Sequence, residues 1–376
     1  MIFVAIPAVI LILVVLLDVF EVIVLPRRIG RRWRLARVLF RSSWRVWVAA
    51  FGRIRNGEQR ETMLSFFGPL SLIMLLVTWA LLLVVAFAVL QWSLGSSLLV
   101  TTGHISFWTD LYLSGTTFFT LGLGDVVPRT GASRIVAVAE AGLGFGFLAL
   151  VIGYLPIFYQ SFSRREVNIS LLDARAGSPP TAGALLRRYG DEGSGGLASF
   201  LSDFERWSAD LLESHLSYPA LGLFRSQHER QSWVAALTSI LDLSAFLVAC
   251  GKPVEEEAAQ LTFAIARHAA VDLAQVYIFA AHPPQTERLS DADFDRLWEM
   301  AAWRATDISK RERSRNQLTA LRATYEPFVA AIAGYLLMPL PPWLPAPGAV
   351  ADWETSPTEP TAAGIADPIA PAHRRS

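Results

Sequence analysis

The chain has 376 residues, of which 53% are hydrophobic and only 18% are charged, and its mean hydropathy is +0.38. This balance argues against a soluble enzyme and indicates a membrane protein. The single cysteine, Cys250, excludes an intramolecular disulfide framework and a metal site built from several thiolates, and the net charge of zero argues against nucleic-acid binding.

Three runs with few or no charged residues are long enough to cross a hydrocarbon core, which needs about 20 apolar residues. The first occupies residues 1–25 and carries only Asp18 and Glu21 near its end. It has no basic n-region and no small-residue cleavage site, so we predict a retained span rather than a cleaved signal peptide. The second span is predicted at 64–92 and the third at 133–162.

The orientation of these spans follows from the arginines between them. Residues 26–62 contain eleven arginines and two acidic residues, and basic segments resist translocation. This basic segment is therefore predicted to be cytoplasmic, the N-terminus to lie outside, and residues 93–132 to face the extracytoplasmic side. We expect a multi-pass protein of a bacterial plasma membrane, with all residues after 162 in the cytoplasm.

The basic segment also has the pattern of an amphipathic helix. Its apolar residues recur at intervals of three and four: Trp33, Ala36, Phe40, Trp44, Trp47, Phe51 and Ile54. Four arginines form a stripe beside them: Arg34, Arg37, Arg41 and Arg45. We predict a helix at the cytoplasmic interface that binds anionic lipids, each arginine contributing about 1 kcal/mol.

A voltage sensor is the alternative for this segment. Arginines also occur at every third position, at Arg28, Arg31, Arg34 and Arg37. A sensor needs several surrounding spans with countercharges, and only one span precedes these residues. The lipid-facing helix is therefore the favoured interpretation.

Three acidic residues lie within the predicted spans, where charges are costly. Asp18 and Glu21 are close enough to the inner interface for structural ion pairs with Arg27 or Arg31. Glu140, in the third span, would either face the pore or brace the filter.

The outer segment contains an apolar run at 107–119 that is too short to cross a bilayer and is followed by glycines. Such a run is typical of a re-entrant hairpin. Non-helical backbone at membrane depth is tolerated only where it is buried in protein or lines a water-filled cavity. The hairpin is therefore predicted to line a pore.

Six residues follow the short helix: Thr120, Leu121, Gly122, Leu123, Gly124 and Asp125. A backbone that points successive carbonyl oxygens at one axis can replace the water around a cation, and this geometry needs φ > 0 at alternate positions. Gly122 and Gly124 have that spacing. Thr120 can add a hydroxyl oxygen at the inner end, whereas Leu121 and Leu123 are expected to point away from the axis and pack against the pore helix.

This motif resembles the potassium-channel family, whose pore loop reads T-V-G-Y-G-D, and the resemblance covers residues 64–162. It implies a filter at 120–125, with K⁺ bound at Thr120, Leu121, Gly122 and Leu123. Asp125 would form a carboxylate ring at the outer mouth that concentrates cations. Pro128 and Arg134 match residues that the family has after its filter.

The resemblance also implies a hinge and an oligomer. Gly144 matches the hinge glycine of the inner helix, and Gly142 and Gly146 flank it; the alternative for each glycine is close helix packing. Four hairpins are needed to surround an ion, so the resemblance implies a homotetramer. K⁺ would be the permeant ion, and we expect no other cofactor.

The motif departs from the family pattern in three places. Phe119 replaces a second Thr, and Leu123 replaces a Tyr or Phe that helps to brace the filter, although a leucine here is similar to a filter of animal two-pore-domain channels. Thr116 stands where some members carry a Glu behind the filter. We therefore expect filter support at Thr116 and from Tyr112, whose hydroxyl could donate to Asp125.

Residues 163–338 have the composition of a soluble helical domain, for which the sequence leaves the ligand or protein partner open. The run 233–250 is apolar, but Asp242 at its centre favours a buried core helix over a fourth span. Ser290 and Asp293 form a capping-box-like helix start. Residues 339–376 are rich in Pro, Ala and Thr and are predicted to be disordered.

The sequence thus predicts an all-α membrane protein with a pore-loop potassium-channel fold. One extra transmembrane helix precedes the pore domain at 63–162, and an α-helical cytoplasmic domain follows it. The predicted function is a tetrameric potassium-selective channel without catalysis. Two alternatives are a weakly selective cation channel and a non-conducting, membrane-anchored signalling or scaffold protein.

Overall fold

The computed structural model of the protein describes residues 2–25, 34–101, 104–189, 196–228, 230–250, 253–277, 287–301 and 308–346. The chain divides into two units, Met1–Arg55 with Thr62–Gln160, and Asn56–Glu61 with Ser161–Ser376. Four helices of the described residues are long and apolar enough to cross a membrane. The chain is therefore an all-α, multi-pass membrane protein, as predicted.

The first unit contains the predicted spans and the hairpin. Its helices are α1 (Ile2–Val19), α2 (Leu35–Phe51), α3 (Gly57–Ser65, which begins in the second unit), α4 (Phe67–Ser93), α5 (Phe107–Phe118) and α6 (Gly131–Ala176, which ends in the second unit). A π-helical turn at Phe20–Val24 follows α1. Two short strands, β1 (Leu98–Val100) and β2 (Val126–Pro128), pair in antiparallel fashion.

The core of the first unit lies between α1 and α4. Val15, Trp79 and Leu83 are almost fully buried there, whereas the opposite faces of these helices expose large apolar side chains such as Leu13 and Leu81. Since lipid tails are as apolar as leucine, close packing rather than escape from water holds such helices together. The exposed faces are suited to contact with lipid.

Asp18 of α1 connects its helix to α2 and α4 through hydrogen bonds. Its Oδ2 atom accepts hydrogen bonds from Trp79 Nε1 at 2.9 Å and from the backbone N–H of Ala36 at 3.1 Å, so it caps the first turn of α2. Glu21 forms an ion pair with Arg34 at 3.2 Å. Glu21 therefore has a structural ion pair, as expected, whereas Asp18 is held by hydrogen bonds; the predicted partners Arg27 and Arg31 lie outside the described residues.

The amphipathic helix predicted in the basic segment is present as α2. Its aromatic face packs on protein: the rings of Trp44 and Phe67 are 4.8 Å apart, and Trp47 Nε1 donates to the Met63 carbonyl oxygen at 3.0 Å. Val46 is 70% exposed on another face. The aromatic face is thus occupied within the unit, and lipid binding stays a prediction for the arginines; Trp33, Arg28 and Arg31 are outside the described residues.

The inner helix, predicted at 133–162, runs in the structure from Gly131 to Ala176. The predicted helix was too short because the apolar pattern ends at the charged residue Arg164, whereas the helix continues beyond it. Gly177, the residue after the helix, has φ of +82° and donates its N–H to the Asp173 carbonyl oxygen at 2.9 Å. A glycine with positive φ is the usual end of a helix.

The second unit is helical, as predicted. Its helices are α7 (Ala182–Tyr189), α8 (Gly196–Ser217), α9 (Trp233–Cys250), α10 (Pro253–Tyr277), α11 (Asp291–Met300), α12 (Ile308–Ala323) and α13 (Glu326–Leu336), with a 3₁₀ turn at Pro219–Leu223. The capping predicted at α11 is confirmed, since Ser290 Oγ accepts the backbone N–H of Asp293 at 3.1 Å.

Helix α9 is the core of this unit. Of its residues, 94% are buried, against 11% of the residues in the apolar stretch of α6. This is the burial of a core helix rather than of a helix facing lipid. Asp242 at its centre is fully buried and accepts hydrogen bonds from Arg288 Nη2 at 2.6 Å and from the Tyr325 hydroxyl at 2.7 Å. The charge that disfavoured a fourth span is thus neutralised inside the domain.

The prediction that disorder begins at residue 339 is wrong for residues 339–346. Trp343 is only 1% exposed, and its carbonyl oxygen accepts the backbone N–H of Gly183 at 2.8 Å. Arg288 Nη2 also donates to the Pro341 carbonyl oxygen at 2.9 Å. The packing of this segment was not predicted because a proline-rich composition is also typical of disorder. Residues 347–376 lie outside the described residues.

Candidate ion-conduction site

The short helix predicted at 107–119 is α5, which begins after a capping box formed by Ser106 and Thr109. Asp110 in its first turn is fully buried and accepts the Ser96 hydroxyl at 2.6 Å. Acidic residues are favourable at this end of a helix, where the backbone N–H groups are exposed. The last carbonyl groups of α5, at its opposite end, lie just before the filter residues.

The backbone after α5 has the alternation that the glycine spacing predicted. Thr120, Gly122 and Gly124 have φ of +58°, +55° and +80°. Thr120 is β-branched, and such a residue at positive φ is strained. Strain of this kind, of order 1–3 kcal/mol, tends to occur at functional sites.

Thr116 supports the start of this segment through its backbone. Its carbonyl oxygen accepts the N–H of Leu121 at 2.7 Å and of Gly122 at 3.4 Å, while its hydroxyl donates to the Leu113 carbonyl oxygen at 3.0 Å. The side chain of Thr116 therefore stays within the pore helix. Support by a backbone carbonyl has no signature in the sequence.

The filter residues themselves are open to their surroundings. Within the described part of the chain, no hydrogen bond uses the carbonyl oxygens of residues 120–124. The side chains of Leu121 and Leu123 are 62% and 64% exposed. The leucines are therefore largely uncovered within this chain, their packing against the pore helix stays a prediction, and both the carbonyl groups and the leucines are available to other chains.

The outer end of the filter is fixed at Asp125. The Tyr112 hydroxyl donates to Asp125 Oδ2 at 3.0 Å, which is the hydrogen bond that the sequence suggested. The Asp125 carbonyl oxygen also accepts the Thr101 N–H at 3.1 Å and the Thr101 hydroxyl at 2.9 Å. These last bonds extend the ladder of β1 and β2, and sequence reasoning missed Thr101 because strands of three residues leave almost no periodic pattern.

The inner helix α6 approaches the end of α5 at Gly144. A Cβ atom at this position would lie within 3.0 Å of the carbonyl oxygen, carbonyl carbon and Cα of Phe118, whereas Gly142 and Gly146 have nothing within 4 Å of the corresponding point. Close packing is therefore the observed property of Gly144. The sequence left close packing and a hinge open as alternatives for this glycine, and the hinge stays a prediction.

Glu140 lies one turn before Gly144 and is fully buried. Its Oε1 atom is hydrogen-bonded to the hydroxyl of Ser114, a buried residue of α5. In this chain Glu140 therefore contacts the short helix α5; whether it faces the pore or braces the filter stays open.

The fold and this site define a multi-pass membrane protein with a glycine-containing hairpin between two spans. Residues 73–161 match the sequence model of a family described as "Ion channel". The match covers the hairpin, most of α4 and the first two thirds of α6.

One curated relative is an uncharacterized membrane protein of Bacillus subtilis, YdjJ. It is 32% identical to this chain over 116 residues, which are 30% of this chain and 33% of the relative. The chain thus matches about a third of the length of this relative. No solved structure matches the chain.

Proposed function

We propose that the protein is the subunit of a homotetrameric, potassium-selective channel that conducts K⁺ passively. The observation that carries this proposal is the alternation of positive φ at Thr120, Gly122 and Gly124. Carbonyl oxygens held in this way can replace the hydration shell of a monovalent cation. K⁺ would bind at Thr120, Leu121, Gly122 and Leu123 as the permeant ion, without another cofactor.

The uncovered surfaces of the chain support a tetramer. One chain supplies one hairpin, and four are needed to surround an ion. Only 11% of the residues in the apolar stretch of α6 are buried, and Leu121 and Leu123 are exposed. Cyclic packing of four copies would cover these surfaces with identical contacts.

The charge distribution of the hairpin favours a cation. Helix α5 ends at Phe118, and a helix C-terminus carries about half a negative charge. Asp125, held by Tyr112 and Thr101, would add four carboxylates around the outer mouth of a tetramer. The inner end of the filter and its outer mouth would therefore both attract cations.

The remaining features suggest how the channel is placed in the cell. We propose a bacterial plasma membrane, with the N-terminus outside and the second unit in the cytoplasm. Arg37, Arg41 and Arg45 of α2 would bind anionic lipid headgroups. The second unit would bind a ligand or protein partner whose chemistry the described residues do not specify.

Potassium flux from liposomes tests this proposal. Gly122→Ala and Gly124→Ala should each abolish flux, because both glycines have positive φ but nothing within 4 Å of an added Cβ, so the backbone conformation alone is disturbed. Gly142→Ala is the matched control, since its site is equally open and needs no positive φ. A wild-type tetramer without flux would favour the non-conducting scaffold.

A weakly selective cation channel is the second candidate, and Leu123 favours it. A leucine cannot form the bracing hydrogen bonds that an aromatic residue with a polar group can form. The side chain of Leu123 is also 64% exposed in the chain. Reversal potentials in mixed sodium and potassium separate the candidates. Potassium selectivity places the reversal potential near that of K⁺, and weak selectivity places it near zero.

A further inference from the structure

Glu140 and Ser114 form a buried polar contact between the inner helix and the pore helix. Both side chains are fully buried. Ser114 Oγ lies within hydrogen-bonding distance of two oxygen atoms, Glu140 Oε1 and the carbonyl oxygen of Val84 in α4, the latter at 2.7 Å. The contact therefore joins three helices of the first unit, α4, α5 and α6.

The count of protons decides the form of the Glu140 carboxyl group. A serine hydroxyl has one hydrogen, and a backbone carbonyl oxygen can only accept. If Glu140 were ionised, both acceptors would have to share this one hydrogen. Each contact has a hydrogen of its own only if Ser114 donates to Val84 and Glu140 donates to Ser114 Oγ. Glu140 must then carry a proton.

The surroundings of the second carboxyl oxygen agree with this count. Among the described residues, Glu140 Oε2 has no hydrogen-bond partner and Glu140 has no ion pair. An ionised carboxylate buried without a cation or additional donors is strongly unfavourable. A neutral acid leaves only one carbonyl-type oxygen unpaired.

The Glu140–Ser114 contact lies one helical turn from the close contact between Gly144 and Phe118. Glu140 and Gly144 are four residues apart on α6, and their partners Ser114 and Phe118 are four residues apart on α5. Residues at this spacing share one face of a helix. Since Phe118 is two residues before Thr120, these two contacts fix the end of the pore helix from which the filter starts.

We propose that Glu140 is a positioning residue for ion conduction: as a neutral acid it donates a hydrogen bond to Ser114 and so holds the pore helix, and with it the filter, against the inner helix. This inference rests on the proposed channel function. It assigns a specific task to an acidic side chain inside a membrane span, where an ionised group would be costly.

Four variants of the full-length protein in liposomes test the functional half of the proposal. Glu140→Gln keeps the size of the side chain and a hydrogen-bond donor, so its potassium flux should stay within about twofold of wild type. Glu140→Ala and Ser114→Ala each remove a buried hydrogen-bond partner, and their flux should fall roughly tenfold. Ser71→Ala is the control, because this buried hydroxyl donates only to Gly68 of its own helix, at 2.7 Å; its flux should be unchanged.

Infrared difference spectra of the purified full-length protein test the protonation directly, whether or not it conducts. Wild type minus Glu140→Gln should show the carbonyl stretch of a protonated carboxylic acid. A carboxylate band in its place, or a flux in Glu140→Gln as low as in Glu140→Ala, would overturn the proposal. Absence of flux from the wild type would instead contradict the channel function, and the infrared bands would then decide the state of Glu140.

Discussion

Gly144 of the inner helix lies directly against the backbone of Phe118, the last residue of the pore helix. The two residues belong to different helices, and a single methyl group would not fit between them. The filter begins two residues after Phe118. The position of the inner helix is therefore linked to that of the filter by backbone contact.

Substitution at Gly144 should disturb the filter more than substitution at its neighbours. Gly144→Ala places a Cβ within 3.0 Å of backbone atoms of Phe118, and forcing extra volume into packed backbone costs about 1–3 kcal/mol. We expect a loss of potassium flux together with reduced tetramer stability. Gly142→Ala and Gly146→Ala, which have open space, are the controls, and equal effects of all three would favour a hinge over close packing.

The hydrogen bond between Tyr112 and Asp125 should affect the outer end of the filter. Tyr112→Phe removes the donor at 3.0 Å but keeps the ring, so Asp125 should be held less firmly at the end of the filter. We expect faster inactivation, measured in bilayer recordings under sustained voltage, with little change in assembly. Unchanged conductance and inactivation would mean that the hydroxyl does not support the filter.

Asp242 should be essential for the fold of the second unit. This buried carboxylate binds Arg288 and Tyr325, and Arg288 also binds Glu326 at 3.1 Å. Asp242→Ala leaves a buried guanidinium group short of its partner, which typically costs about 3–5 kcal/mol. Denaturant unfolding of the full-length protein in detergent should detect this loss, and Asp295→Ala, which removes a half-exposed partner of Arg311, should cost far less.

His215 should make the stability of the second unit depend on pH. Its imidazole is fully buried, Nε2 lies 3.3 Å from Arg165 Nη1, and Nδ1 lies 2.9 Å from the Leu211 carbonyl oxygen. Burial, with a smaller contribution from Arg165, lowers the pKa of His215 well below 6.5. The neutral ring can donate from Nδ1 and accept at Nε2, so both contacts are satisfied without a proton.

The sign of this dependence follows from the lowered pKa. Well above pH 6.5 the imidazole of His215 is neutral in both the folded and the unfolded state, and its neutral form costs no stability. Below pH 6.5 the unfolded state binds a proton that the folded state does not bind, so the unfolding free energy falls by up to about 1.4 kcal/mol per pH unit. Trp233, whose ring lies 5.0 Å from His215, provides a fluorescence signal. The slope should shrink in His215→Gln, and a slope that persists there would assign it to other groups.

Much of the membrane unit could be predicted because bilayer physics leaves few choices. Uncharged length fixed the spans, and the glycine spacing indicated the positive φ values at Gly122 and Gly124. The Tyr112–Asp125 hydrogen bond could be suggested because Tyr112 lies in the short helix and Asp125 in the loop that follows it. These inferences depend on local spacing, which a sequence displays directly.

Other features depend on contacts between distant segments, which a single sequence does not display. The pairing of Thr101 with Asp125 needs the register of two three-residue strands, and the partner of Glu140 needs the rotation of α6 about its axis. A glycine such as Gly144 serves equally well in a hinge or a close contact. The packing of Trp343 was missed because proline-rich composition is also typical of disorder.

The central claim is that the backbone carbonyl groups of Thr120–Gly124 from four chains coordinate potassium. Bilayer recordings of the full-length protein, with potassium on one side and sodium on the other, test it most directly. The account predicts a current that reverses near the potassium equilibrium potential and disappears in Gly124→Ala. An assembled wild-type protein that passes no current, or a current that Gly124→Ala leaves unchanged, would contradict it.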